Sequence, residues 1–180
     1  MKIVVILTGF LCASCLLYAQ PLVTRSGYIG FFSETPLEDI KAENSQVQAV
    51  VDPAKKTLAF ALLMKSFLFD KDLMQQHFNE NFIESDKYPK ATFNVSYTGD
   101  VDLAKNGSYP VQVSGQLTLH GVTRNIHVPA MLTVQNKKLV GQSQFYLKPA
   151  DFNIKIPALV RDKIAQQITV SVKTDFNIPN

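Results

Sequence analysis

Along most of this chain apolar and polar residues alternate with a period of two. That is the mark of strands with one buried and one wet face. Near the C-terminus Ile164, Ile168, Val170, Val172, Phe176 and Ile178 share one face, opposite Ala165, Gln167, Thr169, Ser171, Lys173 and Asp175. Phe93, Val95 and Tyr97 alternate with Asn94, Ser96 and Thr98. Val111, Val113, Leu117 and Leu119 alternate with Gln112, Ser114, Gln116 and Thr118. Gly115 falls on the apolar parity, which predicts a bend or bulge. Ile126, Val128, Ala130, Leu132 and Val134 form another inward row, and Pro129 opposite them predicts a strand edge or bulge. Leu22 to Phe32, Ile40 to Val51, Thr57 to Phe69 and Leu139 to Lys148 complete about eight strands. Turn signals separate them at 52–56, 106–107, 120–122 and 136–138. Thr57 to Phe69 is apolar on both faces, which predicts a strand covered on both sides. The predicted fold is all-β: a single extended antiparallel barrel, which at ~8 strands is wide enough to fill with side chains or to hold one small ligand.

One segment breaks the period. From Asp72 to Glu84, Met74, Phe78 and Phe82 recur every four residues, with Leu73 and His77 beside them and Gln75, Gln76, Asn79 and Glu80 largely off the stripe. This spacing predicts an amphipathic helix. Asp72 and Gln75 have the spacing of a capping box, and Pro89 ends the element. A lone helix among strands serves to cover an open part of the barrel. Pro149 to Asp162 is irregular, with a helical turn near Ala158.

The first residues change the picture of hydrophobicity. Met1 and Lys2 precede an apolar run from Ile3 to Leu17, and Ala19 precedes Gln20 and Pro21. This reads as a cleaved secretory signal over residues 1–19, leaving a domain at 20–180. The run is short for a membrane span of ~20 residues. Both cysteines, Cys12 and Cys15, lie within it, so the remaining chain has no disulfide framework. Leu11 is one position too early for a lipoprotein signal at Cys15, so lipid anchoring is not expected. The expected location is secreted, in the periplasm. In the chain of 180 residues the net charge is +3 and the basic residues are scattered, which excludes a nucleic-acid partner.

Catalytic chemistry finds little footing. No serine sits in a Gly-x-Ser-x-Gly elbow, and no nucleophile, base and acid are grouped. His77, His120 and His127 are the candidate metal ligands, but only His77 with Glu80 has tolerable spacing, so no metal is expected. His120 and His127 are expected on polar strand faces. The predicted chemistry is collective apolar binding. The expected cavity lining is Phe60, Leu62, Met64, Phe67, Met74, Phe78, Phe82, Phe93, Val95, Tyr97, Val113, Leu117, Leu119, Ile126, Val128, Phe145, Ile168, Val170 and Val172, with His77 and Tyr88 polar at the mouth. Met64 and Met74 suit varied chains because thioethers are flexible.

Three stretches carry a resemblance. Leu73 to Phe93 (with HFNENFIESDKYPKATF), Gly115 to Arg124 (GQLTLHGVTR) and Ala150 to Ile154 (ADFNI) resemble motifs of the YceI-like family of bacterial secreted proteins. The likeness covers nearly the whole chain after the leader. It implies a lipocalin-like barrel and, from some members, a polyisoprenoid or related long apolar ligand. Two departures stand out: Lys148-Pro149-Ala150 replaces an Arg common before the Asp-Phe pair, and Asn153 replaces the usual Gly. The function expected is therefore non-catalytic binding of a lipid or isoprenoid small molecule, with no cofactor, transient membrane contact, and an oligomeric state left open, a dimer included. Two alternatives stand beside it: a structural or stress-related barrel with a solid core, and a metal-dependent enzyme around His77.

Overall fold

The computed structural model describes residues 20–179, so the predicted leader, Cys12 and Cys15 lie outside the described residues. Nine strands alternate with short helical pieces: β1 (Leu22–Ser33), β2 (Ile40–Asp52), β3 (Thr57–Leu63), β4 (Leu68–Phe69), β5 (Lys90–Thr98), β6 (Gly107–Leu119), β7 (Val122–Gln135), β8 (Lys138–Leu147) and β9 (Ile168–Asn177). One sheet runs in the order β1-β9-β8-β7-β6-β5-β3-β2-β4, and β1 also pairs with β2. That pairing closes eight antiparallel strands into a barrel, with β4 as an extra two-residue strand on β2. Closure removes the sheet edges that would otherwise invite pairing with other chains.

Two hairpins show why the register holds. His120 and Gly121 join β6 to β7 with φ of 50° and 73°, and Asn136 and Lys137 join β7 to β8 with φ of 51° and 59°. Two consecutive left-handed residues make the turn whose twist matches the flanking strands. Gly115 pairs with Val95 and Ile126 without a register shift, so there is no bulge. A Cβ at Gly115 would press into the Asn94 carbonyl and lie 2.6 Å from Val95 Cα. The glycine lets the sheet curl this tightly.

The barrel's two ends differ. At one end Val51, Leu58, Val95, Tyr97, Val111, Val134, Leu139 and Phe176 are buried in a packed core. At the other, two seams open. Between β2 and β3 pairing stops beyond Gln48 and Ala61, and resumes with β4 only at Ala42 and Glu43. Between β7 and β8 it stops beyond Met131 and Gln142, leaving Val122 to Ala130 unpaired with β8. Pro129, which has no N–H to leave unsatisfied, sits where that second seam begins. Its carbonyl accepts a 2.7 Å hydrogen bond from the Ser143 hydroxyl.

The predicted strand Thr57 to Phe69 is therefore two strands. After Leu63 the chain makes a 3₁₀ turn at Met64–Ser66. That turn shifts the alternation, so both Met64 and Phe67 are buried. The outer face of this segment is not covered as expected: Leu63 is 48% exposed. Buried Asn44 bridges the gap, donating from Nδ2 to the Leu63 carbonyl (3.1 Å) and accepting at Oδ1 from the Gln46 N–H (2.9 Å).

Asn44→Ala should cost about 1–3 kcal/mol, because it strands buried backbone groups. The loss would be read as a lower urea midpoint at unchanged slope. Gly115→Ala should cost a similar amount, about 1–3 kcal/mol, from overpacking against backbone that cannot retreat.

Candidate functional site

The open end encloses an apolar cavity of about 260 Å³. Its walls come from the inward rows of the strands, and its roof from the helical segment. α1 (Asp72–His77) continues as a π turn over Phe78–Phe82. A strict spacing of four overshoots a 3.6-residue turn. The wider i→i+5 turn, with Ile83 N–H bonded to the Phe78 carbonyl at 2.9 Å, absorbs the excess. Met74, His77, Phe78 and Phe82 consequently all face the cavity. Leu73 does not, and is exposed.

The expected capping box does not form. Lys71 occupies the N-cap without a side-chain cap. Gln75 Oε1 instead accepts from the Phe69 N–H at 3.2 Å, tying the helix to β4. Behind it, Asn79 donates to the Gln75 carbonyl and accepts from the Ser85 hydroxyl at 2.6 Å. Four phenylalanines fix the roof to the wall. Phe78 lies 5.6 Å from Phe31, 5.7 Å from Phe67 and 5.0 Å from Phe69, ring centre to ring centre. Lys71 also reaches across the mouth to Glu38 at 2.9 Å. Its hydrogen bond holds the Glu38 carboxyl below the usual carboxylate range. Stability from this exposed pair is present above the carboxylate's unfolded value and is lost as pH falls through the folded one.

Most residues expected at the lining are there: Phe60, Leu62, Met64, Phe67, Met74, Phe78, Phe82, Phe93, Leu117, Leu119, Ile126, Phe145, Ile168, Val170, Val172 and the mouth residue His77. Val95 and Tyr97 are not. They are buried in the packed end, where strand alternation alone could not distinguish a solid core from a hollow one. Val113 and Val128 line a second, smaller void deeper in the barrel. Tyr88 lies beside the mouth but off the lining, its ring edge-on to His120 at 4.4 Å. Sequence reasoning missed Ile29 and Phe31 on β1, and Pro149, Ile154, Ile156 and Val160 from the irregular segment; Ile164, read on the inward row of the last strand, also lines the cavity. Alternation of Gly27, Ile29, Phe31 and Ser33 could have exposed the first two. The irregular segment has no period to read.

That segment plugs the β7/β8 seam. The Arg124 guanidinium donates to the Asp151 carbonyl at 2.9 Å. Phe152 is buried, and Asn153 ends its 3₁₀ turn with φ 56°. This left-handed position explains a glycine there, and Asn is the side chain that best tolerates it. His120, expected on a polar strand face, is buried. Its Nδ1 lies 3.0 Å from the Phe152 carbonyl and its Nε2 3.0 Å from the Glu84 carboxylate. Both partners are acceptors, one on each side of the ring. His120 thereby pins the plug, the roof's exit and the β6–β7 hairpin together. His127 sits on the exposed face of β7 beside Ser114. Among the described residues no three His, Cys, Asp or Glu side chains gather as a metal site requires.

A family model described as the YceI-like domain matches residues 25–176. The chain belongs to the YceI-like family. The fold agrees with solved structures at low identity. A polyisoprenoid binding domain from Saccharophagus degradans, implicated in plant cell wall breakdown, is 18% identical with a TM-score of 0.74, covering 88% of this chain and 98% of that one. BcnA of Burkholderia cenocepacia is 17% identical with a TM-score of 0.69, covering 83% and 95%. The YceI protein of Campylobacter jejuni is 19% identical with a TM-score of 0.62, covering 77% and 85%. No curated protein matches the chain.

Phe78→Ala removes the ring at the centre of the roof's aromatic cluster. It should cost about 3–5 kcal/mol and raise the fluorescence of an added apolar dye as the cavity loses its cover.

Proposed function

We propose that this YceI-like barrel is a non-catalytic binding protein that holds one long apolar molecule, of the polyisoprenoid or a related lipid class, in its open end. The observation that carries the reading is the cavity lining. Of the side chains around it only Ser33, Glu38, His77, Thr92 and Lys163 are polar. Ser33 is already used, accepting from the Ala165 N–H at 2.9 Å. Glu38 is paired with Lys71. Few polar groups are left to recognise a polar substrate, whereas each buried CH₂ of a greasy one contributes ~0.8 kcal/mol. Shape and apolar area are what this site offers. The polyisoprenoid-binding description of the Saccharophagus degradans domain supports the ligand class. The charged start, apolar run and Ala19 of the first residues support export to the periplasm, where the cargo would be met at a membrane surface.

Organic extraction and native mass spectrometry of protein isolated gently from its own host should recover a stoichiometric lipid, and stripped protein should rebind it. Leu119→Trp, which fills the cavity, should weaken rebinding at least tenfold while leaving the packed end and the melting transition intact. Protein that emerges empty and takes up no prenyl or acyl chain on titration would overturn the reading in favour of a purely structural barrel.

A further inference from the structure

The barrel interior holds two voids, the open cavity of about 260 Å³ and a deeper one of about 50 Å³. Five residues line both: Ile29, Phe60, Phe93, Phe145 and Val172. A side chain that presents atoms to both spaces stands between them. Phe60 and Phe93 are direct cross-strand partners of β3 and β5, with ring centres 5.9 Å apart and planes inclined at 31°. Ile29 and Val172 are cross-strand partners of β1 and β9. On β8, Phe145 pairs with Val170, next along the inward row of β9. Side chains from five of the barrel's strands thus meet in one plate across the interior.

Beyond the plate the deeper void is walled mainly by Leu58, Val113, Val128, Ala130 and Leu132. Almost all of its accessible lining is apolar, although Gln142, Ser143 and Thr174 also border it. The void is therefore suited to hydrocarbon, yet two aromatic rings close the way into it. Phenylalanine has few rotamers, and a cross-strand aromatic pair favours its offset geometry. The rings form a stop.

We propose that the Phe60–Phe93 pair is a specificity determinant that sets the length of apolar chain the protein accepts, the chain's end resting on the two rings. This rests on the binding reading above, and names how that site discriminates. A longer chain must leave its surplus at the mouth in water, while a shorter one leaves part of the cavity unfilled.

The test is a homologous series of straight-chain fatty alcohols displacing a fluorescent apolar probe from stripped protein. In the wild type each added methylene should tighten binding about fourfold until the chain meets the rings, after which affinity levels off. In Phe93→Ala the two voids join, and affinity should go on rising about fourfold per methylene past the wild-type limit. Phe93→Leu, a milder change, should extend the limit less and covers the case in which the alanine variant does not fold. In Phe93→Ala with Ala130→Leu, which refills the deeper void, the limit should return toward that of the wild type. An unchanged limit in a folded Phe93 variant would overturn the proposal while leaving the binding reading in place. Wild-type protein that binds no member of the series would remove both.

Discussion

A sheet cannot be opened without finding new partners for the backbone groups it releases. The open half of this barrel is shaped by that requirement. Pairing is given up in two seams, between β2 and β3 and between β7 and β8. Each seam carries a residue that lowers the cost. In the first, Asn44 stands in for a strand: its amide donates to Leu63 and accepts from Gln46. In the second, Pro129 brings no N–H to be orphaned, and Ser143 donates to its carbonyl. Widening the wall at these points lets an eight-stranded barrel, which side chains of ordinary size can fill, keep a hollow at one end.

Each opening then needs a cover, and the covers come from the chain that leaves it. The helical roof follows directly from the β3–β4 break, and the 3₁₀ turn at Pro149–Phe152 follows β8. The roof is too short to be stable alone, since isolated helices need roughly 12–15 residues. It forms because Phe78 packs among Phe31, Phe67 and Phe69, so tertiary contact precedes local propensity here. The π turn belongs to the same logic: it gives up regular helical geometry to keep the apolar stripe aimed inward. His120 then couples the two covers, because its two nitrogens reach the exit of the roof at Glu84 and the plug at Phe152.

The barrel was legible in the sequence because alternation over strands such as Val111 to Leu119 has one physical cause, a wall with a wet side. The same signal could not report depth. Val95 and Leu117 share an inward parity, but one is packed and the other lines a cavity. The difference lies in seams several strands away, which leave no trace in local periodicity. Thr57 to Phe69 misled for a related reason. Only part of its double-sided hydrophobicity comes from the 3₁₀ turn, which brings Phe67 inward after Met64, whereas Ala59 and Leu63 lie on the exposed face of β3; a continuous apolar run hides such a switch. The capping-box spacing at Asp72 was overridden by a longer-range demand, the Gln75 bond to β4. Pro149 to Asp162 carried no period at all, although Ile154, Ile156 and Val160 line the cavity. Asn153 was conspicuous as a substitution, and only its left-handed backbone shows why it is a mild one.

The hollow end has an energetic consequence that bears on function. Voids left by trimming packed cores cost ~24 cal/mol per Å³, which for a cavity of about 260 Å³ comes to roughly 6 kcal/mol. That is an upper figure for a cavity with a mouth, where water relieves part of it. It is nonetheless comparable with the ~5–15 kcal/mol net stability of a whole domain. The packed end and the closed hydrogen-bond ladder must supply that difference whenever the site is empty. A bound chain returns the lost contacts and stabilises the fold in proportion to the logarithm of its concentration over Kd. The same void that weakens the empty barrel is therefore the source of affinity on the proposed reading. On that reading, the packing given up at one end of the wall is what a guest would supply.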